Sequence, residues 1–332
     1  MNLERLNQIA KAVLYEGYML YPYRPSSVKN RQRWNFGVLY PRSYSEAQGV
    51  SDAFSLRTEC LVTGTPQALL EVRLRFLRLQ VRSSESSEGA SSSADWQEAV
   101  EREVAMPAFP LECLLSGPLT HTFQYPSHLS AAASTSDSVG GVAPPPVRRQ
   151  ETVSGEITVT LQPVRTDSFK LRIDVLNTSP FTNNIASRDE ALLRSLVSAH
   201  VALGLQGAEF VSSLEPPEGL KAVAAECVNI GVWPVLVGEP GQHDTLLASP
   251  IILYDYPQIA PESAGDLFDG TEIDEILSLR IMTLTDDEKR EIRESDERAR
   301  QILERTDSMP AEQFLKLHGA VRSLRPVKES TP

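Results

Sequence analysis

The chain lacks the signatures that mark most familiar enzymes. Among its 332 residues there is no phosphate-cradling GxxxxGK[ST], no GxGxxG after a strand, no HExxH, no CxxC and no GxSxG elbow, which argues against the chemistries those motifs serve. Long hydrophobic runs are missing as well. A membrane span needs about 20 consecutive apolar residues, and nothing here approaches that; the first apolar stretch, 9–14, is interrupted by Lys11 and followed by Glu16. Cysteine is scarce. Cys60, Cys113 and Cys227 stand far apart, and an odd number suits reduced buried thiols better than a disulfide framework, so a cytoplasmic location is expected. Positive charge is in deficit, with 32 Lys+Arg against 44 Asp+Glu and a formal charge of −12, so the surface repels phosphate backbones and nucleic-acid binding is disfavoured. The five histidines are scattered. Only His121 and His128 lie close in sequence, and they read as exposed strand-end residues, so no metal site and no cofactor is expected.

What is present is an ordinary globular composition, 41% apolar and 23% charged, in a length that accommodates one large or two ordinary domains. Residues 3–14 place Leu6, Ile9, Ala10, Val13 and Leu14 at helical spacing, predicting an amphipathic N-terminal helix. From Leu56 to Val81 the period becomes two, with Val72, Leu74 and Phe76 of one parity and Leu77, Leu79 and Val81 of the other, which suggests a β-bulge near Phe76 and Leu77. Strands are also expected at 119–125, around Ile157, Val159 and Leu161, at Phe169, Leu171, Ile173 and Val175, and at 233–237 and 246–254. Polar, small-residue tracts read as mobile loops near 82–97 and 129–150. Ser187-Arg-Asp-Glu190 is a capping box and predicts a helix with an apolar stripe of Leu192, Leu196, Ala199 and Leu203.

The last quarter changes to helix-start patterns at Thr271 and Thr285 and a helix opening at Pro310. Strands joined by turns and loops rather than helices favour an antiparallel sheet. The expected fold is therefore α+β: an antiparallel β-rich body, sandwich or strongly bent sheet, over 1–262, with an N-terminal helix, one internal capped helix and a helical C-terminal region over 263–332.

Two charge-bearing segments stand out. Residues 15–44 hold six of the nine tyrosines together with Trp34 and several arginines. Aromatic rings and guanidinium groups supply rigid contact area, cation–π stacking and forked hydrogen bonds, so Tyr18, Tyr21, Tyr23, Arg24, Lys29, Arg31, Arg33 and Trp34 are a candidate partner surface. The same residues could instead be core and rim side chains with internal partners. The window 255–275 carries Asp266, Asp269, Glu272, Asp274 and Glu275 and no Lys or Arg. Helix capping and solvation account for this acidic segment better than a cation site, because the spacing misses the calcium-loop pattern.

The phrases Tyr15-Glu-Gly-Tyr18, running on to Pro41, and Ser249-Pro-Ile-Ile-Leu-Tyr-Asp-Tyr-Pro257, running on to Leu277, resemble an uncharacterised family encoded beside [NiFe]-hydrogenases of the high-affinity, actinobacterial type. That resemblance implies a context, hydrogenase maturation or assembly, and brings no catalytic motif. It implies a non-catalytic accessory protein whose partner is a hydrogenase subunit or maturation protein. The competing expectation is an enzyme acting on an anionic small molecule, with Arg24, Arg31 and Arg33 as a clamp and Asp266 or Asp269 as base or metal ligand.

Overall fold

A computed structural model of the chain describes residues 3–15, 34–48, 53–83, 96–131, 147–182, 187–258, 281–295 and 297–308. Its spine is the strand β1 (Ser55–Ser83), 29 residues of alternating side chains. Left straight, a strand of that length would reach about 95 Å, so it must bend. The bend falls at Gly64, whose φ of +147° and 2.6 Å approach of a notional Cβ to Ala208 leave room for glycine alone.

Partners change across the bend. Before it, β1 pairs antiparallel with β7 (Ser168–Asn177), from Ser55 opposite Leu176 to Thr63 opposite Ser168. Beyond it, β1 pairs with β2 (Trp96–Pro110), from Leu69 opposite Pro110 to Arg82 opposite Trp96. Along the opposite edge runs β8 (Val197–Phe210). The remaining strands are β3 (Leu119–Tyr125), β4 (His128–Ala131), β5 (Val147–Gln150), β6 (Val153–Arg165), β9 (Trp233–Leu236) and β10 (Thr245–Ser249). The main path is β3-β6-β7-β1-β8-β10-β9, with every pairing antiparallel.

Although β3 is three strands from β1 in that path, its Phe123 and Tyr125 rings lie 6.0 and 5.9 Å from the Phe76 ring. The sheet therefore folds over on itself. It encloses Leu70, Val72, Leu74, Phe76, Val104, Ile157, Leu171, Ile173, Val201 and Leu203, whose burial from water is the main stabilising term. This is an antiparallel β-rich body of the kind the patterning predicted, and of the two expected forms, sandwich or strongly bent sheet, it is the second.

The outer face is covered as well. Helix α1 (Leu3–Tyr15) lays Leu6, Ile9 and Val13 on Ala202, Val237 and Leu247, the apolar stripe read from its periodicity. A second outer core joins Leu14, Tyr15, Trp34, Tyr40, Tyr44, Leu77 and Leu79 to Ile281, Ile292 and Leu303 of the C-terminal segment. There, helices Asp286–Ser295 and Glu297–Asp307 follow a complete capping box, in which Thr285 Oγ1 accepts from Glu288 N at 3.3 Å and Glu288 Oε2 accepts from Thr285 N at 2.8 Å. Residues 309–332, with the helix expected at Pro310, lie outside the described residues, as does the start expected at Thr271.

Four expectations need correction. The parity change at Phe76 and Leu77 is no bulge of β1, which pairs with β2 without interruption from Val72 to Arg82. Both faces of the strand are buried there, one in the inner core and the other in the outer, so apolar residues follow one another directly. The irregularity belongs to β8, where His200 lies opposite Arg75 and Val197 opposite Leu77, three steps against two. The capped helix is real but short: Ser187 Oγ accepts from Glu190 N, and helix α3 (Arg188–Leu192) ends after five residues. Leu196 then forms an isolated bridge to Leu39, while Ala199 and Leu203 belong to β8, whose first nine residues are buried on both faces and so present no periodicity to separate strand from helix.

The tracts read as loops are narrower than 82–97 and 129–150, since Arg82, Trp96, the β4 residues and 147–150 are all strand, and 84–95 and 132–146 lie outside the described residues. Finally, the strand expected at 246–254 stops at Ser249, where Pro250 follows.

Candidate functional site

Of the residues singled out by composition, Tyr18, Tyr21, Tyr23, Arg24, Lys29, Arg31 and Arg33 lie outside the described residues, as do Asp266, Asp269, Glu272, Asp274 and Glu275. Trp34 is described, and it is core: 2% exposed, at φ +65°, packed in the outer core with Leu14 and Tyr44. It is not a surface residue. Arg188 fixes this segment by donating from Nη2 to Trp34 O and Asn35 Oδ1, both at 2.7 Å, and from Nε to Tyr40 Oη at 3.1 Å. Tyr15, Tyr40 and Tyr44 are buried too, and Tyr15 Oη donates to Glu101 Oε1 at 2.9 Å. The described aromatics of 15–44 are thus largely core and rim with partnered hydroxyls; Phe36 is the exception, 47% exposed.

The two phrases that carry the family resemblance, more than 200 positions apart at 37 and 250, meet in space. Phe36 O and Gly37 O accept from Ser198 N and Ala199 N at 3.2 and 2.9 Å, which lays this segment along the start of β8. Gly37 then sits against Pro250: a Cβ at Gly37 would stand 2.6 Å from Pro250 Cγ, and its φ of +54° also favours glycine.

From that contact, 250–257 forms a strap along the end of the β9–β10 hairpin. Ser249 Oγ donates to Ile251 O at 2.7 Å, and Ile251 and Leu253 pack onto the α1 core. The alternate residues point away: Ile252 is 73% exposed and Tyr254 85%. Trp233, opposite Ser249, is 43% exposed and adds a further ring to the same neighbourhood. Large apolar and aromatic side chains left in water are what a protein contact uses.

The strap also closes the sheet edge. Asp255 Oδ1 accepts from Leu236 N at 2.8 Å, Leu236 O accepts from Tyr256 N at 2.7 Å, and Pro234 has no N–H to offer, so β9 cannot take up a further strand at these positions. Asp255 Oδ2 accepts from Ser212 Oγ at 2.5 Å. The first acid of the acidic window is therefore a structural brace. Strand addition at these positions of β9 is therefore blocked.

Beneath the contact lies His200, fully buried on β8. Its Nδ1 is 2.9 Å from Ser198 O, which can only accept, so the proton sits on Nδ1 and Nε2 is bare with no hydrogen-bond partner. Burial first, and the neighbouring Arg75 charge in the same direction, lower the imidazole to about 4. The ring is neutral and structural near pH 7.

Among the described residues no three of His, Cys, Asp and Glu are placed to hold a metal ion. Cys60 packs in the inner core, whereas Cys227 packs in a separate small cluster with Leu61, the next residue of β1. Phe36 falls within the aromatic stretch 15–44 that composition singles out, whereas residue types do not single out Trp233, Ile252 or Tyr254. A period-two reading of 246–254 takes all its apolar residues as buried, and only the break at Pro250 could have suggested a surface strap.

No helix among the described residues is long and apolar enough to cross a membrane. No protein-family model matches the chain and no curated protein matches it. Among solved structures it is similar to the Salmonella SPI-1 type III secretion injectisome secretin InvG in its open gate state, at 9% identity over 61% of each chain and with a TM-score of 0.09, which carries no argument about this protein.

Proposed function

We propose that this protein is a non-catalytic, cytoplasmic accessory factor that acts by protein–protein interaction in the maturation or assembly of a [NiFe]-hydrogenase. The context rests on the resemblance of 15–41 and 249–277. One observation supports an interaction role: those two phrases converge at Gly37 and Pro250, and Phe36, Ile252 and Tyr254 within them, with Trp233 beside them, leave apolar surface in water. The occupant is a hydrogenase subunit or maturation protein. Tyr18, Tyr21, Tyr23, Arg24, Lys29, Arg31 and Arg33, which belong to the first phrase by sequence, remain the candidate partner-binding residues of this reading.

The test is affinity purification of the tagged full chain from its native host under hydrogenase-expressing conditions. A hydrogenase subunit or maturation protein is expected in the eluate of the unaltered chain. It should be depleted with an Ile252→Ala/Tyr254→Ala variant, since truncating an aromatic hot spot costs about 2 kcal/mol or roughly 30-fold in affinity. Recovery of neither class of partner, or undiminished recovery with the variant, overturns the proposal. Deleting the gene should lower hydrogenase activity and leave growth on rich medium unchanged.

A further inference from the structure

Independently of that role, we propose that Arg78 and Arg102, converging on the Tyr125 ring where the inner core ends, form a binding site for a small oxyanion, the carboxylate or phosphate group of a ligand. On the inner face β1 turns from Phe76 to Arg78, and the residue of β2 opposite Phe76 is Arg102. The two guanidinium carbons lie 5.9 and 5.5 Å from the Tyr125 ring centre. Arg78 is only 3% exposed, and Arg102 is half-buried and open to water on one side.

Neither arginine has a carboxylate partner among the described residues. Arg78 donates from Nη2 to two main-chain carbonyls, Pro126 O at 2.6 Å and Glu151 O at 2.7 Å. Arg102 donates from Nη1 to Glu101 O at 3.2 Å. The Nε of each is buried with no acceptor. Among the described residues the nearby acids are engaged elsewhere: Glu98 by Arg82 and Arg148, Glu103 by Arg73 and Arg75, Glu151 by Arg149 and Arg194, and Glu101 by the Tyr15 hydroxyl.

Two like charges are thus held together in partly desolvated surroundings with orphaned donors, an arrangement that costs free energy until an anion joins it. Burial first, and then the neighbouring Arg102 charge, lower the pKa of Arg78, against opposing pulls from Tyr125 and Glu151. The forked N–H groups match an oxygen pair on one planar or tetrahedral anion, and the Tyr125 ring supplies a stacking wall.

The test uses the full chain at constant ionic strength, with sodium chloride exchanged for sodium phosphate or sodium acetate, read by thermal unfolding and by calorimetric titration. A saturable rise in unfolding temperature is expected with at least one of the two anions. Phosphate alone identifies a phosphate-bearing ligand; acetate, a carboxylate. Arg102→Gln, at a half-exposed position compatible with folding, should weaken that binding by about 10- to 100-fold, the worth of a charge-assisted hydrogen bond. Arg290→Gln, exposed on a C-terminal helix, should leave binding unchanged. No saturable effect of either anion, or equal weakening by the two substitutions, overturns the proposal.

Discussion

Acidification should unfold this protein in part through one residue, His200. In the folded chain its Nδ1 proton is committed to Ser198 O, and the bare Nε2 has no partner to receive a second charge. Protonation there would place a cation beside Arg75 in a fully buried site, and Glu103, which is already shared between Arg73 and Arg75, offsets little of that. The folded imidazole therefore titrates near 4, against 6.5 for a free one. Because the folded value is depressed, the unfolded chain takes up the proton first: stability is complete above the unfolded value and is lost as pH falls from there toward the folded one. At about 1.4 kcal/mol per unit, the whole window is worth about 3 kcal/mol, of which about 2 are lost by pH 5.

Paired carboxylates also titrate on the acid side, so the informative quantity is a difference. His200→Asn keeps a donor near the Nδ1 position and removes the titration. Urea unfolding of both chains at about pH 7.5 and about pH 5 should show the unaltered protein losing about 2 kcal/mol more than the variant. Parallel losses would refute the reasoning, since they would mean that Nε2 has a partner or that the charged ring is tolerated.

Gly37→Ala should cost about 1–3 kcal/mol in urea unfolding, from a left-handed backbone and the Pro250 contact together, and Pro250→Ala in the same chain should restore part of it. Arg78→Met strands the Pro126 and Glu151 carbonyls and should destabilise by about 2–3 kcal/mol; a neutral result would show that Arg78 is not what ties the β3–β6 hairpin to β1. Iodoacetamide should alkylate exposed Cys113 first and leave Cys60 untouched in the native protein, because burial pushes the Cys60 thiol far above its ordinary value. Mild oxidation should produce no bond between Cys60 and Cys227, which mass mapping of the native chain would check.

Elements with a clean period were legible. Helix α1 and strands β3, β6 and β7 follow from 3.6- or 2-residue spacing because each has one drier and one wetter face, the drier face of β3 being half-buried. Strand β8 was not, since α1 covers one face and the inner core the other, and burial on both sides erases the alternation that separates a strand from a helix. The candidate surface was legible only in part. Aromatic content drew notice to 15–44, yet a tyrosine fills a core as readily as it tips an interface, and Tyr15, Tyr40 and Tyr44 went inside. Ile252 and Tyr254 lie outside because Pro250 ends β10 and the strap keeps only alternate residues on α1, a consequence of the register between distant segments.

The Arg78 and Arg102 pair depends on the same kind of non-local information. Along β1 the inward residues read Leu70, Val72, Leu74, Phe76, Arg78, Gln80 and Arg82, so the core stops within one step. Had β3 and β6 stayed in the plane of the sheet, Arg78 would face water and carry no meaning. The hairpin formed by β3–β4 and β5–β6 instead folds across that step, and its two kinks, after Tyr125 and before Val153, present the very carbonyls that Arg78 binds. A residue that looks like the solvated continuation of an amphipathic strand becomes buried because a distant hairpin closes over it. The acids of β2 that could neutralise it alternate in the wrong direction: Glu101 and Glu103 face the outer layer, and Glu98, which does face inward, is taken by Arg82 and Arg148. The excess positive charge at the end of the core thus follows from the parity of two strands and the fold of a third, and among the described residues it leaves two guanidinium groups without a carboxylate partner.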